Sequence, residues 1–213
     1  MKNKLSITNI LLLFSCMMAL VAVFVMDMNP FHAGGITLAM GLTAGFTKVC
    51  QSNSGGAVRV WIANVADVAS FTINAGTGAY SACTMQSGKV FYKFEFEQDS
   101  AFFKWIPAMS DSGSFSIDKS VEFYLKYITQ THRNALQDIA DASACGMIVI
   151  VEDGNGQKWV HGYSEKFILD RPMKLRGGES NSGKVFSDPN GSNVILGVID
   201  NEYPRQYTGT VPV

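Results

Sequence analysis

Three histidines are the first side chains of this 213-residue chain to consider for catalysis or metal binding. A site built from three histidines would need His32, His132 and His161 together. His132 falls one turn before Leu136 on a predicted helix, where it is expected at the boundary of the core. His161 follows Val160 on a predicted hairpin strand, so its ring is expected to face solvent or a neighbour. The histidines therefore predict no metal centre.

Closely spaced carboxylates and glycines are the next candidates. Glu95, Glu97 and Asp99 recur at every second residue, which is typical of one exposed strand face. Asp153-Gly154-Asn155-Gly156 begins like a calcium loop but lacks the closing glutamate, and a hairpin turn explains it. Gly76-Thr77-Gly78 lacks the later glycine of a dinucleotide loop. We therefore predict no catalytic residue, no cofactor-binding residue and no bound metal; the protein is not expected to be an enzyme.

The four cysteines show no zinc-type spacing. Cys16 lies in an apolar N-terminal run, and the remaining three, Cys50, Cys83 and Cys145, cannot all pair with one another. We expect them to be reduced and buried as small apolar side chains. Cys145 stands between a helix exit and a buried-type strand, so a structural role is expected for it.

Composition narrows the function classes. Charged residues make up 16% of the chain, below the roughly 25% that is typical of soluble domains, and the net charge is −1. A chain with so little net charge has no strong field to attract nucleic acid. The low charged fraction indicates that part of the chain lies in a membrane or that partners cover much of its surface.

The N-terminus carries an uncharged run of 17 residues, from Ile10 to Met26. Three interpretations stay open: a membrane-spanning helix with a cytoplasmic N-terminus, a cleaved signal, or a segment upstream of the true start at Met40. The expected organisation is an apolar segment with linker over residues 1–39 and a β-rich domain over residues 40–213.

The second segment is patterned mainly as strands. Val90, Tyr92, Phe94 and Phe96 alternate with charged residues between Lys89 and Gln98, and a second alternating strand runs from Phe115 to Leu125. These two strands are predicted to be antiparallel neighbours. The segment between them, Ser100 to Gly113, is predicted to be an irregular projecting loop or hairpin, and Pro107 is expected to stop its apolar run. Lys119 interrupts an otherwise apolar face, so we expect a bend or an edge position there.

One helix is predicted, from Thr129 to Ala142, with Thr129 or Thr131 as its N-cap and Gly146 at its exit. A continuous apolar run, Met147 to Val151, follows, and the Asp-Gly and Asn-Gly pairs after it predict a hairpin. About nine or ten strands and this helix predict a mainly β (α+β) fold: a β-sandwich or barrel with one flanking helix, preceded by the N-terminal apolar helix.

Six segments, in this order, resemble the tail-tube and related virion structural proteins of phages, which are similar in architecture to the tube proteins of type VI secretion systems. They are Met40-Gly41-Leu42-Thr43-Ala44-Gly45, Arg59-Val60-Trp61-Ile62-Ala63-Asn64, Gly88-Lys89-Val90-Phe91-Tyr92, Val121-Glu122-Phe123-Tyr124-Leu125, Gly146-Met147-Ile148-Val149-Ile150-Val151-Glu152-Asp153 and Gly183-Lys184-Val185-Phe186-Ser187-Asp188-Pro189-Asn190-Gly191.

The resemblance implies a virion tail protein that assembles in the host cytoplasm. Six copies would close into a ring whose inner wall is a joined β-sheet, and stacked rings would form a conduit for DNA that passes without sequence-specific binding. The expected partners are other copies of the chain and other tail or virion proteins, with the Ser100 to Gly113 segment suited to contacts between rings. The alternative is a β-sandwich binding module anchored in the inner membrane by the N-terminal helix, facing the periplasm or the cell surface.

Overall fold

A computed structural model describes residues 45–46, 48, 50, 53–97 and 99–213. Residues Ser52–Val213 form one compact unit, to which all the elements below belong. The predicted N-terminal helix and the boundary at residue 40 lie outside the described residues.

The chain is mainly β, with two sheets and one α-helix over the described residues. The strands, in chain order, are β1 Ala57–Asn64, β2 Val68–Ile73, β3 Tyr80–Met85, β4 Tyr92–Phe94, β5 Ala101–Met109, β6 Phe115–Lys126, β7 Met147–Asp153, β8 Lys158–His161, β9 Lys174–Asn181, β10 Gly191–Asp200 and β11 Gln206–Tyr207. A 3-10 turn, Val65–Asp67, joins β1 to β2, and α1 spans Gln130–Cys145. The predicted β-rich α+β class is confirmed.

The seven-stranded sheet has the order β2-β3-β11-β8-β7-β1-β4, and the four-stranded sheet has the order β5-β6-β10-β9. All pairs are antiparallel except β11 with β3. One hydrophobic cluster combines side chains from both sheets and α1, and includes Val149, Phe123, Leu196 and Ile139. The second cluster belongs to the larger sheet and the loops beside it.

Strand β7 shows why a continuous apolar run was needed. Val149 and Val151 belong to the first cluster, while Ile148 and Ile150 belong to the second, so both faces of the strand are buried. The hairpin predicted after it is confirmed, because the Asp153 carboxylate accepts hydrogen bonds from the N–H groups of Asn155 and Gln157, 2.8 Å each.

The helix also follows its sequence signals. The Thr129 hydroxyl accepts a hydrogen bond from the N–H of His132 at 3.2 Å, which makes Thr129 the N-cap. Gly146 ends the helix at a φ of 103°, a conformation that L side chains rarely adopt. A Cβ there would also overlap the Pro172 ring. Ile139 is buried against the first cluster and Leu136 is half-buried beside it.

Two strand predictions are wrong. Only Tyr92–Phe94 of the long alternating segment is a strand, and it pairs with β1 instead of β6. Tyr92 is exposed, whereas its neighbour Phe91 is fully buried in the second cluster. The segment predicted as an irregular projecting loop or hairpin contains β5, which forms a hairpin with β6, so the hairpin alternative is correct and the expected stop at Pro107 is wrong. Pairing with β1, which is distant in sequence, decided the place of β4.

Candidate functional site

The outer edge of β5 has no strand partner among the described residues. The N–H of Tyr124 donates to the carbonyl oxygen of Ser100 at 2.9 Å, in register with the β5–β6 pairing. Because backbone groups alternate along an antiparallel strand, even-numbered residues of Ala101–Met109 direct theirs to β6. The odd-numbered residues direct theirs to the free edge, and Pro107 is one of them.

This position explains why Pro107 does not stop the strand. A proline has no N–H, and here the missing donor would have faced away from β6. The pairing with β6 therefore continues through Pro107 to Met109. Ala101 is only 3% exposed, so its backbone is not available to another strand. Pro107 cannot donate to a further strand, so the part of the edge that is open to full pairing runs from Phe102 to Trp105.

The outer edge of β9 is likewise without a strand partner in the described part of the chain. The start of β9 is covered by α1, because the Leu175 N–H donates a hydrogen bond to the Ser143 hydroxyl at 2.8 Å. The open stretch is Arg176–Asn181. The strand registers place Phe102 and Gly177 at the same height across the sheet. The two open stretches therefore meet near the middle of the sheet, and from there that of β9 extends toward Gly191 and that of β5 toward Met109.

The directions of the two edge strands are complementary. Three successive antiparallel pairs, β5 with β6, β6 with β10 and β10 with β9, make β5 and β9 run in opposite directions. A copy rotated about an axis along the strands keeps the same direction. Its β9 would lie antiparallel beside β5 of the first copy, and the joined sheet would be antiparallel throughout.

The face of the four-stranded sheet that points away from the core is mixed in character. Phe102 and Ile106 are exposed on β5, with Lys104 between them. On β9, Glu179 is exposed, and the Arg176 guanidinium pairs with Asp118 across the sheet. Lys104 and Glu179 form no ion pair with another described residue. The two open edges thus carry one uncompensated charge of each sign.

The two ends of this sheet differ. The end that holds Lys126, Asn181 and Gly191 continues into residues 182–190, and we name it the loop end. The opposite end holds Met109 and Phe115, which flank the turn between β5 and β6, and we name it the hairpin end. Both ends expose large apolar side chains.

Residues 182–190 at the loop end have a defined backbone. The Asp188 carboxylate accepts hydrogen bonds from the N–H groups of Lys184, 2.8 Å, and Val185, 3.1 Å, and these bonds hold the pKa of Asp188 below its usual value. Gly183 has a φ of 77°, and a Cβ there would lie 2.7 Å from that of Asp188. This framework presents Phe186 with its side chain completely exposed.

At the hairpin end, exposed aromatic side chains continue into the interior. Phe115 and Tyr203 have ring centroids 6.4 Å apart, and Tyr203 lies edge-on to Trp105 at 6.2 Å. Met109 is 72% exposed beside them. The turn itself is closed by a hydrogen bond from the Ser110 N–H to the Ser114 carbonyl oxygen, 2.9 Å. Asp111 is exposed in that turn.

A buried polar network lies behind the hairpin end. The ammonium of Lys119 donates to the Asp200 carboxylate at 2.8 Å, and both side chains are at most 2% exposed. The indole N–H of Trp105 donates to Nε2 of His161 at 3.0 Å, which connects β5 to β8. Lys119 lies in the middle of β6 and is paired with both β5 and β10 without a register shift, so the predicted bend or edge position is wrong.

The prediction that His161 faces solvent or a neighbour is also wrong, since the ring is fully buried. Burial and the charge of Lys119 lower its pKa to about 3, and backbone carbonyls at Trp159 and Val149 offset this only in part. Because Nε2 accepts from Trp105, the neutral ring carries its proton on Nδ1. At neutral pH this ring is an uncharged structural link.

The lowered pKa of His161 predicts a loss of stability in mild acid. Below about pH 6.5 the unfolded chain binds a proton on this residue that the folded chain does not, down to about pH 3. The free energy of unfolding should therefore fall by roughly 1.4 kcal/mol per pH unit from this group. Urea denaturation at pH 7 and pH 5 measures the slope. The slope should be shallower in His161→Gln, and an unchanged slope in that variant would refute the assignment.

The remaining candidates are two histidines and the cysteines, of which His32 and Cys16 lie outside the described residues. His132 is buried at the start of α1, with Nδ1 2.6 Å from the Tyr127 carbonyl oxygen. The expectation of buried cysteines is wrong for Cys50 and Cys145, which are exposed, and Cys83 is half-buried. Cys145 is the last residue of α1 and its side chain faces solvent.

The carboxylates of the 95–99 segment do not share a strand face, because β4 ends before them. Glu95 pairs with Lys93 and Glu97 with Lys126. A groove of about 660 Å³ beside α1 has an apolar floor that includes Ile62 and Met147, with exposed acidic side chains at its rim. No group of three or more metal-ligating side chains occurs among the residues that the structure describes.

Comparisons with protein-family models, curated proteins and solved structures find no match for the chain. None of the helices in the described part of the chain has the length and apolar character needed to span a membrane. The open strand edges had a weak sequence signal, since Pro107 inside an apolar alternating segment is typical of an edge strand.

Proposed function

We propose that the protein is a structural subunit of a phage or prophage particle, a tail-tube-like protein that closes into rings through the two edges of its four-stranded sheet. In this arrangement the sheets form a two-layer sandwich, and the four-stranded sheets of neighbouring copies join into the inner wall of a conduit for DNA. The residue order that resembles tail-tube proteins and the geometry of the edges support the proposal independently.

The observation that carries the proposal is the match between the open stretches of β5 and β9. They run in opposite directions, overlap at the height of Phe102 and Gly177, and have no strand partner among the described residues. Exposed strand edges are an aggregation hazard that closed barrels remove. A cyclic arrangement satisfies both edges of every copy with one repeated contact.

Exposure of apolar side chains on β5 agrees with this assembly. Phe102 lies on the open stretch of this edge strand, so a neighbouring β9 would give its exposed ring cross-strand side chains to pack against. The 16% charged fraction is also explained, because a ring subunit buries several of its faces against neighbours.

The proposal is tested by assembly of the purified protein. The full chain, kept in detergent for its apolar N-terminal segment, and a chain beginning at Met40 are concentrated stepwise and imaged by negative-stain electron microscopy. We expect rings of uniform diameter in both preparations, and a matching large species in sedimentation velocity.

A strictly monomeric protein at every concentration would rule the ring out. If the full chain also fractionated with membranes, the result would favour the alternative, a membrane-anchored β-sandwich binding module. The contrast between rings and membrane-bound monomers separates the two functions without knowledge of any ligand.

A further inference from the structure

We propose that the hairpin end of one copy binds the loop end of a copy in the next ring, with Phe186 as the apolar anchor and Asp111 paired with Lys184. The inference rests on the proposed ring, because it assigns the surface through which rings stack.

Exposed apolar side chains occur at both ends of the four-stranded sheet. Val185 and Phe186 lie at the loop end, whereas Met109 and Phe115 lie at the hairpin end, separated by the full length of the four-stranded sheet. When such sheets join edge to edge, all loop ends form one rim of the ring and all hairpin ends form the other. A contact between unlike ends repeats without closing and therefore produces a stack.

Residues 182–190, which carry Phe186, already have a fixed backbone conformation. A completely exposed phenylalanine on a free loop would gain little on binding, because ordering the loop costs conformational entropy. Here the Asp188 carboxylate and the left-handed Gly183 already hold the backbone. Asn190 ties the loop to the residues after β6, since its carbonyl oxygen accepts from the Tyr127 N–H at 3.0 Å. Rigid aromatic anchors of this kind dominate protein interfaces.

The two ends of the sheet carry exposed side chains of opposite charge. Lys184 is adjacent to the apolar pair Val185 and Phe186, and Asp111 lies in the turn between Met109 and Phe115. Neither Lys184 nor Asp111 forms an ion pair with another described residue. The two ends are therefore complementary. The loop end has an apolar anchor beside a positive charge, and the hairpin end has exposed apolar side chains beside a negative charge.

Charge reversal tests the contact in the full chain. Asp111→Lys and Lys184→Asp should each reduce the mean number of rings per tube about tenfold, because every subunit of a ring repeats the same repulsion. The double variant Asp111→Lys/Lys184→Asp should restore tube length. Phe186→Ser should leave single rings. Asp138→Lys, a charge reversal of the same size on the exposed face of α1, is the matched control and should leave tube length unchanged.

The outcomes separate this inference from the proposed function. Rings of the unaltered chain that never stack, or tubes of normal length from Phe186→Ser, would overturn the stacking contact and leave the ring intact. Single variants that shorten the tubes without recovery in the double variant would overturn the Asp111–Lys184 pair. Absence of rings in the unaltered chain would remove the proposed function together with this inference.

Discussion

Replacing Lys119 by methionine should lower the free energy of unfolding by about 3–5 kcal/mol, a large fraction of the stability of a domain. The substitution keeps the side-chain length but leaves the Asp200 carboxylate charged and 2% exposed, without its partner at 2.8 Å. Urea denaturation followed by tryptophan fluorescence, at concentrations low enough to keep the chain unassembled, measures the difference.

A double variant distinguishes the ion pair from simple packing loss. Lys119→Met/Asp200→Leu removes both charges and fills the site with apolar atoms, so its stability should return to that of the unaltered chain or exceed it. Asp200→Leu alone leaves a buried ammonium and should be as damaging as Lys119→Met. Single variants that each cost less than about 1 kcal/mol would show that water or another group already compensates these charges.

The Lys119–Asp200 pair shows that sequence patterns do not predict contacts between residues that are distant in the chain. Lys119 interrupts an apolar strand face, and its partner Asp200 lies 81 residues away on β10. The pattern around Lys119 predicts a bend or an edge position, because Ile117 and Val121, its neighbours on the same strand face, offer no counter-charge. Only the pairing of β6 with β10 brings the carboxylate into reach. The burial of His161 has the same origin, since Trp105 approaches it from a strand 56 residues earlier.

Local signals predicted the local structure correctly. Thr129 caps α1 and Gly146 ends it because both act on backbone groups within one turn. The hairpin after β7 follows from its turn residues and from an apolar run that suits a strand buried on both faces. Strand partners carry no such local signature, so the alternating segment around Tyr92 was matched to β6, although its strand pairs with β1.

At the edge of β5, the proline in the sequence is compatible with two structures, the end of a strand or an edge strand. Pro107 by itself predicts the end of a strand, yet on an edge strand the missing N–H has no partner to lose. The distinction depends on which residues of β5 face β6, and a single hydrogen bond, from the Tyr124 N–H to the Ser100 carbonyl oxygen, decides it. Backbone direction of this kind cannot be predicted before the strand partner is known.

The double variant Phe102→Lys/Glu179→Lys should abolish ring formation while the subunit stays folded. Phe102 lies on the open stretch of β5, beside Lys104, and Glu179 lies on the open stretch of β9, beside the positive Arg176. The substitutions make both facing edges positive, and like charges across paired strands oppose the contact. Sedimentation velocity and electron microscopy should show monomers at concentrations at which the unaltered chain forms rings.

A control variant with the same change in charge distinguishes an effect on folding from an effect on assembly. Ile73→Lys/Asp138→Lys also replaces one exposed apolar and one exposed acidic side chain by lysine, but on β2 and α1, away from both open edges. Exposed substitutions of this kind usually change stability by no more than about 0.5 kcal/mol, so both double variants should melt near the temperature of the unaltered chain. Rings from the control and none from the edge variant would locate the joint at β5 and β9. Intact rings from the edge variant would mean that the subunits meet elsewhere, because two like-charged edges cannot form one continuous antiparallel sheet at no cost.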